Sequence, residues 1–171
     1  LKTYTIDDSQ TVEIDDAVSL EKTSGQYKLW IHISSPTSNL RHESEIDKKA
    51  RKLNSTVYLS DITLYMLPEV LITEVFSLSN KEKRESISLG IIFNEDGSVY
   101  DSEIVQSLIK VNYRLNYKEA DELIDYAPKE EEDLSIISSI LQKRKSWRKN
   151  LGAIEILESY AKIVVEDNIP A

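Results

Sequence analysis

Two β-hairpin patterns constrain the fold of this chain more than any other feature. Residues 86–93 and 98–109 are rich in β-branched and apolar residues, and an Asp96-Gly97 dipeptide lies between them. Because Asp-Gly suits the tight turns that join antiparallel strands, this pattern predicts a hairpin. Residues 12–20 and 27–33 predict a second hairpin, since apolar residues alternate with polar ones in 27–33 and a turn sequence precedes them.

Helices are predicted in four further segments. Apolar residues recur at helical spacing in 43–53, 116–124 and 130–150, and 69–78 follows a proline. We expect the first helix to lie over the hairpin sheet, 54–68 to be an irregular, well-packed crossing, and 160–165 to form a closing strand. With neither repeats nor linkers, the chain is expected to be one α+β domain with a mixed, largely antiparallel sheet and packed helices.

Composition excludes several classes of protein. The 171 residues are 40% hydrophobic, which is enough for one sizeable core, and they contain no cysteine for disulfides, thiolate zinc sites or thiol nucleophiles. No apolar run is long enough to cross a bilayer, so we expect no membrane partner and a cytoplasmic location. A net charge of −9 argues against a freestanding nucleic-acid binder, although an acidic active-site wall would have the same sign.

An acidic run near the N-terminus contains the candidate functional residues. The whole chain has 30 acidic residues, and five of them fall within residues 7–16. These five are Asp7, Asp8, Glu13, Asp15 and Asp16. The last two lie among apolar residues, where a charge is costly unless it is paired or bound to a cation. To share an ion, residues 8–12 must loop back, and a bulge or strand end must bring Asp15 and Asp16 to the same side.

Composition and spacing leave the chemistry of this run open. A solvated acidic turn that leads into an edge strand is the first interpretation. A carboxylate site for Mg²⁺ is the second, because hard cations take oxygen ligands. Calcium is the third, but the EF-hand pattern is absent, since no glycine lies between Asp7 and Asp16.

An ordered series of motifs extends over almost the whole chain, from about Tyr4 to Val165. The motifs are Thr5-Ile6-Asp7, Glu13-Ile14-Asp15-Asp16-Ala17, His32-Ile33, Val57-Tyr58-Leu59, Met66-Leu67-Pro68, Ser77-Leu78 and Gly152-Ala153-Ile154-Glu155. Together they resemble the first half of the RNB catalytic domain of ribonuclease II and ribonuclease R. We therefore interpret residues 1–171 as the N-terminal half of such a domain and, since the chain opens on Leu1 within a strand-like segment, as an excised fragment.

The resemblance implies processive hydrolysis of single-stranded RNA from its 3′ end to nucleoside 5′-monophosphates, with Mg²⁺, or alternatively Mn²⁺, as the cofactor. It implies that Asp7 and Asp16 are metal ligands and that Asp15 is a ligand or positions the substrate. Glu13 stands where the family usually has aspartate, so it is the fourth catalytic and metal candidate. Tyr58 falls on the tyrosine that stacks on a base, whereas without the resemblance it would be assigned to the core.

The chain also departs from the family pattern. Ser35 stands where an aspartate is usual, and Leu151 stands where an arginine commonly precedes Gly-Ala-Ile. The family's second half, with its catalytic arginine and glutamate, and the flanking OB-type RNA-binding modules have no counterpart in the 171 residues. We expect the fragment alone to be inactive, and the alternatives are a non-catalytic RNB-like module that binds RNA or protein, and an acidic interaction domain.

Overall fold

The computed structural model describes residues 1–23, 25–59, 61–79, 82–156, 165–166 and 169–170. Its strands are β1 (Thr3–Asp7), β2 (Asp16–Thr23), β3 (Gln26–Ser34), β4 (Val57–Tyr58), β5 (Thr63–Leu64), β6 (Arg84–Phe93), β7 (Val99–Ile109), β8 (Tyr113–Asn116), β9 (Val165–Glu166) and β10 (Ile169–Pro170). Its helices are α1 (Glu45–Leu53), α2 (Glu69–Leu71), α3 (Tyr117–Tyr126) and α4 (Asp133–Asn150). A π-helical turn, Ile72–Phe76, continues α2, and short 3-10 turns lie at Pro36–Ser38 and Lys129–Glu131.

Six strands form one sheet in the order β7-β6-β3-β2-β1-β8. Neighbouring strands are antiparallel except β1 and β8, which are parallel, so the expected mixed, largely antiparallel sheet is confirmed. Both predicted hairpins are present. In the turn between β6 and β7, Gly97 has a φ of 88°, a left-handed conformation that suits glycine. The second hairpin begins later than predicted, because β2 starts at Asp16 and residues 11–15 lie outside any strand.

Helices α3 and α4 lie against one face of this sheet. The side chain of Asn116 accepts the backbone N–H of Glu119, and Glu119 reaches back to the N–H of Asn116, so a capping box begins α3 near its predicted start. The buried residues that join α4 to the sheet are Tyr4, Leu20, Leu29, Leu134 and Ile137. Burial of this apolar surface is the main force that holds the helical layer on the strands.

Helix α1 begins after Ser44, whose side chain accepts the N–H of Asp47 and caps the helix. Its buried residue, Ala50, packs with Leu67, Ile72 and Phe76. None of these residues belongs to the six-stranded sheet. The helix therefore packs on the segment that contains α2 and the π-helical turn, rather than directly on the sheet as expected.

Residues 54–68 correct one expectation. They contain a small antiparallel pair, β4 and β5, and the apolar side chains of residues 57–64 are exposed instead of well packed, whereas Tyr65, Met66 and Leu67 pack as expected with the cluster under α1. Val57, Leu59, Ile62 and Leu64 are 44–53% exposed. Strands of two residues are too short to show a hydrophobic period, which explains why the sequence pattern missed them.

The predicted closing strand at 160–165 lies outside the described residues except for Val165, which begins β9. Among the helices that the structure describes, none is long and apolar enough to cross a membrane.

Candidate active site

The acidic residues come together where β1 ends and β2 begins. These strands are antiparallel neighbours, with Thr3 opposite Ser19 and Tyr4 opposite Val18. Asp7 at the end of β1 and Asp16 at the start of β2 therefore lie at the same end of the sheet. The expected loop between them is present.

A turn at Asp8 reverses the chain between the two strands. The N–H of Thr11 donates to the carbonyl of Asp8 at 3.0 Å, and the N–H of Gln10 donates to the Asp8 carboxylate at 2.9 Å. A short polar side chain that bonds the backbone two residues ahead stabilises a turn of this kind. Asp8 has a structural role in this turn.

Buried Ile14 anchors the remainder of the loop, which we call the acidic loop and define as residues 8–15. Ile14 is 1% exposed and packs with Ala17, Leu78, Ile109 and Val111. Glu13 and Asp15 flank it and are partly buried and exposed, respectively. Because β2 begins only at Asp16, a strand end and not a bulge places Asp15 and Asp16 at the same edge.

The carboxylates repel one another, and Arg114 and the Tyr58 hydroxyl compensate their charge only in part. Burial raises the pKa of Asp7, and the charges of Asp16 and Asp15 raise it further, whereas Arg114 lowers it. Burial and then the charge of Asp15 raise the pKa of Glu13, and the hydrogen bond from Tyr58 lowers it. Although Asp15 as a whole residue is exposed, partial desolvation of its carboxylate and then the charge of Asp16 raise its pKa. Within the described chain, the buried Oδ2 of Asp7 has no hydrogen-bond partner. A divalent cation would relieve this arrangement, so the residues fit an oxygen-ligated ion.

The four carboxylates do not form a closed coordination shell. Among the described residues, the group that brings three ligand atoms within 4.8 Å of one another lies elsewhere, at His42, Glu43 and Asp47. His42 and Glu43 are exposed, and the partly buried Asp47 already pairs with Arg51 at 3.0 Å. Asp7, Glu13, Asp15 and Asp16 are better described as neighbouring carboxylates that could supply some of the oxygen ligands of a hydrated Mg²⁺.

Tyr58 lies beside the acidic loop. Its hydroxyl donates to the Glu13 carboxylate at 3.3 Å, and its side chain is 69% exposed. The assignment of Tyr58 to a core, which the sequence without the resemblance favours, is therefore wrong. An exposed aromatic ring next to the carboxylates can stack on a planar ligand.

Arg114 belongs to the same site, although no sequence pattern indicated it. Its strand, β8, lies parallel to β1, with Arg114 opposite Thr5. The guanidinium donates a hydrogen bond to the carbonyl of Thr11 and lowers the pKa of Asp7. No periodicity within β8 indicates this contact, because it depends on a pairing between distant segments.

The profile of the RNB domain matches residues 1–170. The chain belongs to the RNB domain family. Among curated relatives, an uncharacterized ribonuclease of Synechocystis is 37% identical over 99% of this chain, and ribonuclease II of Arabidopsis thaliana, chloroplastic/mitochondrial, is 33% identical over 96%. Ribonuclease R of Aquifex aeolicus is 33% identical over 96%. The chain spans 26%, 21% and 24% of these proteins, respectively, so this RNB chain matches about a quarter of each.

Solved structures share the RNB fold of the chain. Mycoplasma genitalium RNase R in complex with ribose-methylated single-stranded RNA superposes with a TM-score of 0.90 at 22% identity, over 100% of this chain and 28% of that one. Yeast Ssd1, a pseudonuclease, superposes with a TM-score of 0.74 at 20% identity, over 87% of this chain and 18% of that one. At these identities the likeness establishes the fold and leaves the activity open.

His32, which belongs to one of the RNB-like motifs, has a structural role. It is 4% exposed, and its ring nitrogens bond the hydroxyls of Ser19 at 2.9 Å and Ser88 at 2.6 Å. Burial lowers its pKa to about 4, so the ring is neutral at physiological pH. It therefore fixes the sheet interior and takes no part in the acidic site.

Proposed function

We propose that this chain contributes the acidic half of the active site of a cytoplasmic 3′ to 5′ exoribonuclease. The enzyme hydrolyses single-stranded RNA processively to nucleoside 5′-monophosphates and depends on Mg²⁺, or alternatively Mn²⁺. The observation that carries the proposal is that Asp7, Glu13, Asp15 and Asp16 lie together at one end of the sheet, with their charge compensated only in part, in a chain of the RNB family.

Each carboxylate has a proposed role. Asp7 and Asp16 hold the metal, Asp15 is a further ligand or positions the RNA, and Glu13 is the fourth candidate. A bound pair of divalent ions would supply an activated water and stabilise the leaving 3′ oxygen. The chain itself holds the carboxylates close together, although burial and repulsion raise the pKa of Asp7, Glu13 and Asp15 in the absence of a cation.

Tyr58 is proposed to stack on a base near the 3′ end of the RNA. Its ring is exposed, and its hydroxyl bond to Glu13 holds it beside the carboxylates. Stacking on an aromatic ring tolerates every base, as a nonspecific nuclease requires. RNA as the partner is supported by the solved complexes of Mycoplasma genitalium RNase R with single-stranded and with double-stranded RNA.

The remainder of the catalytic domain and the flanking OB-type modules are proposed to complete the channel. The chain matches only 21–26% of the length of the relatives quoted above. Groups that stabilise charge within one catalytic unit act together, so we propose that the 171-residue chain is inactive by itself. Release of monophosphates from single-stranded RNA by the purified 171-residue chain would contradict this part of the proposal.

The test uses the full-length protein with uniformly labelled single-stranded RNA and Mg²⁺. We expect nucleoside 5′-monophosphates as products and a loss of more than about 100-fold in rate for Asp16→Asn, since even residues behind metal ligands contribute up to that factor. Asp121→Asn, an exposed carboxylate on α3, is the matched control and should keep the parental rate. A parental rate in Asp16→Asn, or internal fragments as first products, would refute the assignment.

A non-catalytic RNB-like module is the second candidate. The fold likeness to Ssd1, a pseudonuclease, favours it, because the RNB fold persists there in a protein of that description. The same assay separates the two candidates. A module of this kind retards labelled RNA in a gel without releasing monophosphates, and Asp16→Asn leaves that retardation unchanged.

A further inference from the structure

We infer that Ser77 is a positioning residue of the acidic site. Its hydroxyl holds the backbone on both sides of Glu13 and so fixes the positions of the carboxylates in the acidic loop. The inference rests on the proposed function, because the property that Ser77 affects is the affinity of these carboxylates for a divalent ion.

The hydroxyl of Ser77 makes two hydrogen bonds to the acidic loop. It accepts the N–H of Ile14 at 3.1 Å and donates to the carbonyl of Val12 at 3.3 Å. The next residue adds a third bond, since the N–H of Leu78 donates to the carbonyl of Ile14 at 2.8 Å. A hydroxyl can donate and accept at once, which an alanine side chain cannot do. Glu13 is thus held from both neighbours.

Ser77 is itself held in place by its own backbone. Its N–H donates to the carbonyl of Ile72 at 2.8 Å at the end of the π-helical turn. Its carbonyl accepts Nε of Arg84 at 3.3 Å, and the same guanidinium donates to the carbonyl of Glu74 at 2.7 Å. Because Ser77 is only 3% exposed, water does not compete strongly for these bonds.

Ser34 ties the same two segments together at Asp15. Its N–H donates to the carbonyl of Asp15 at 2.8 Å, and its hydroxyl donates to the carbonyl of Phe76, beside Ser77, at 2.7 Å. Residues 11–15 are outside any strand, so ladder hydrogen bonds do not fix them. Hydrogen bonds from Ser77, Leu78 and Ser34 fix this part of the backbone instead.

The expected consequence is a loss of metal affinity when the Ser77 hydroxyl is removed. The N–H of Ile14 and the carbonyl of Val12 lose their partner, and Glu13 gains freedom to move. Residues that orient metal ligands typically contribute 10- to 100-fold to metal affinity or activity. We expect Ser77→Ala to raise the dissociation constant of Mn²⁺ by about 10- to 100-fold.

The experiment measures Mn²⁺ binding by calorimetry and stability by chemical denaturation in the full-length protein. Ser88→Ala is the matched control, because Ser88 is also a buried serine, 1% exposed, but its hydroxyl bonds the Nδ1 of His32 instead of the acidic loop. We expect Ser88→Ala to lower stability and keep the parental Mn²⁺ affinity. Ser77→Thr, which keeps the hydroxyl, should bind Mn²⁺ more tightly than Ser77→Ala.

Several outcomes would overturn the inference. One is a parental Mn²⁺ affinity in Ser77→Ala together with a loss of stability equal to that of Ser88→Ala. Another needs no variant: fast hydrogen exchange of the Ile14 amide in the parent protein shows that Ser77 does not hold it. A parent that binds no Mn²⁺ counts against the proposed function, whereas Mn²⁺ binding that Ser77→Ala leaves unchanged counts against Ser77 alone.

Discussion

Replacing Asp7 by asparagine should stabilise the protein when divalent ions are absent. The carboxylate is partly buried, its Oδ2 has no partner among the described residues, and Asp15 and Asp16 are nearby. Asparagine still places a polar atom without a partner at this position, but it removes the charge that burial, Asp16 and Asp15 oppose. Because the side chain is only partly buried and Arg114 offsets some of this cost, we expect a gain of about 1 kcal/mol in the free energy of unfolding at pH 7.

The order of stability should reverse in Mg²⁺. At a free concentration 100 times the dissociation constant, an ion that binds only the folded state stabilises it by about 2.7 kcal/mol. Asp7→Asn loses a ligand and most of that gain. The parent should then be more stable than the variant by about 1 to 2 kcal/mol.

The pH dependence has a defined sign. Because the pKa of Asp7 is raised in the folded state, the folded protein binds this proton more tightly than the unfolded chain does. The ionised carboxylate therefore destabilises the fold above its raised pKa, and that penalty disappears as the pH falls below the ordinary aspartate pKa. The advantage of Asp7→Asn in EDTA should shrink over the same range.

Chemical denaturation in EDTA and in saturating Mg²⁺ measures both effects. Asp121→Asn, which removes an exposed charge on α3, serves as the control and should change neither value. If Asp7→Asn were less stable than the parent in EDTA, the charge of Asp7 would be compensated in the folded protein. The site would then have no excess negative charge for a cation to neutralise.

Three further predictions concern other residues. Tyr58→Ala should weaken the binding of single-stranded RNA by about 1 to 3 kcal/mol, as measured by fluorescence anisotropy. Tyr58→Phe should keep the parental RNA affinity, since it loses only the hydrogen bond to Glu13. Equal losses of affinity in both variants would exclude stacking. Gly97→Ala should lower the free energy of unfolding by about 2 kcal/mol or more, because φ is 88° and a Cβ would lie 2.5 Å from backbone atoms of Lys143; unchanged stability in denaturation would refute this turn geometry. An NMR titration of His32 should give a pKa of about 4 instead of 6.5, and a value near 6.5 would mean that the ring is not buried.

Much of the fold could be predicted from local pattern. The hairpin between β6 and β7 and the helices α3 and α4 follow from turn residues, capping residues and apolar spacing, which are properties of short segments. The pattern failed where elements are too short to show a period, as in β4, β5 and β8. It also placed the start of β2 too early, since the apolar Val12 and Ile14 resemble strand residues although Ile14 is buried within a loop.

The candidate site, too, could be predicted from the sequence only in part. The ordered motifs indicated the RNB family, and the family match over residues 1–170 confirms it. The roles of Asp7, Glu13, Asp15 and Asp16 stay predictions, although the structure brings all four to one edge. Carboxylate counting alone left a solvated turn as the first interpretation, because a sequence window does not record whether a charge has a partner.

The sequence by itself determined the identity of the acidic run, the hairpins and helices around it, and the family to which they belong. The tertiary structure decided what surrounds that run: Ser77 and Arg114 on its backbone, and Tyr58 against Glu13. These contacts join segments far apart in the chain. Local periodicity reports which side of a segment is buried, whereas the partner across a sheet edge or loop is fixed only when the whole sheet has assembled.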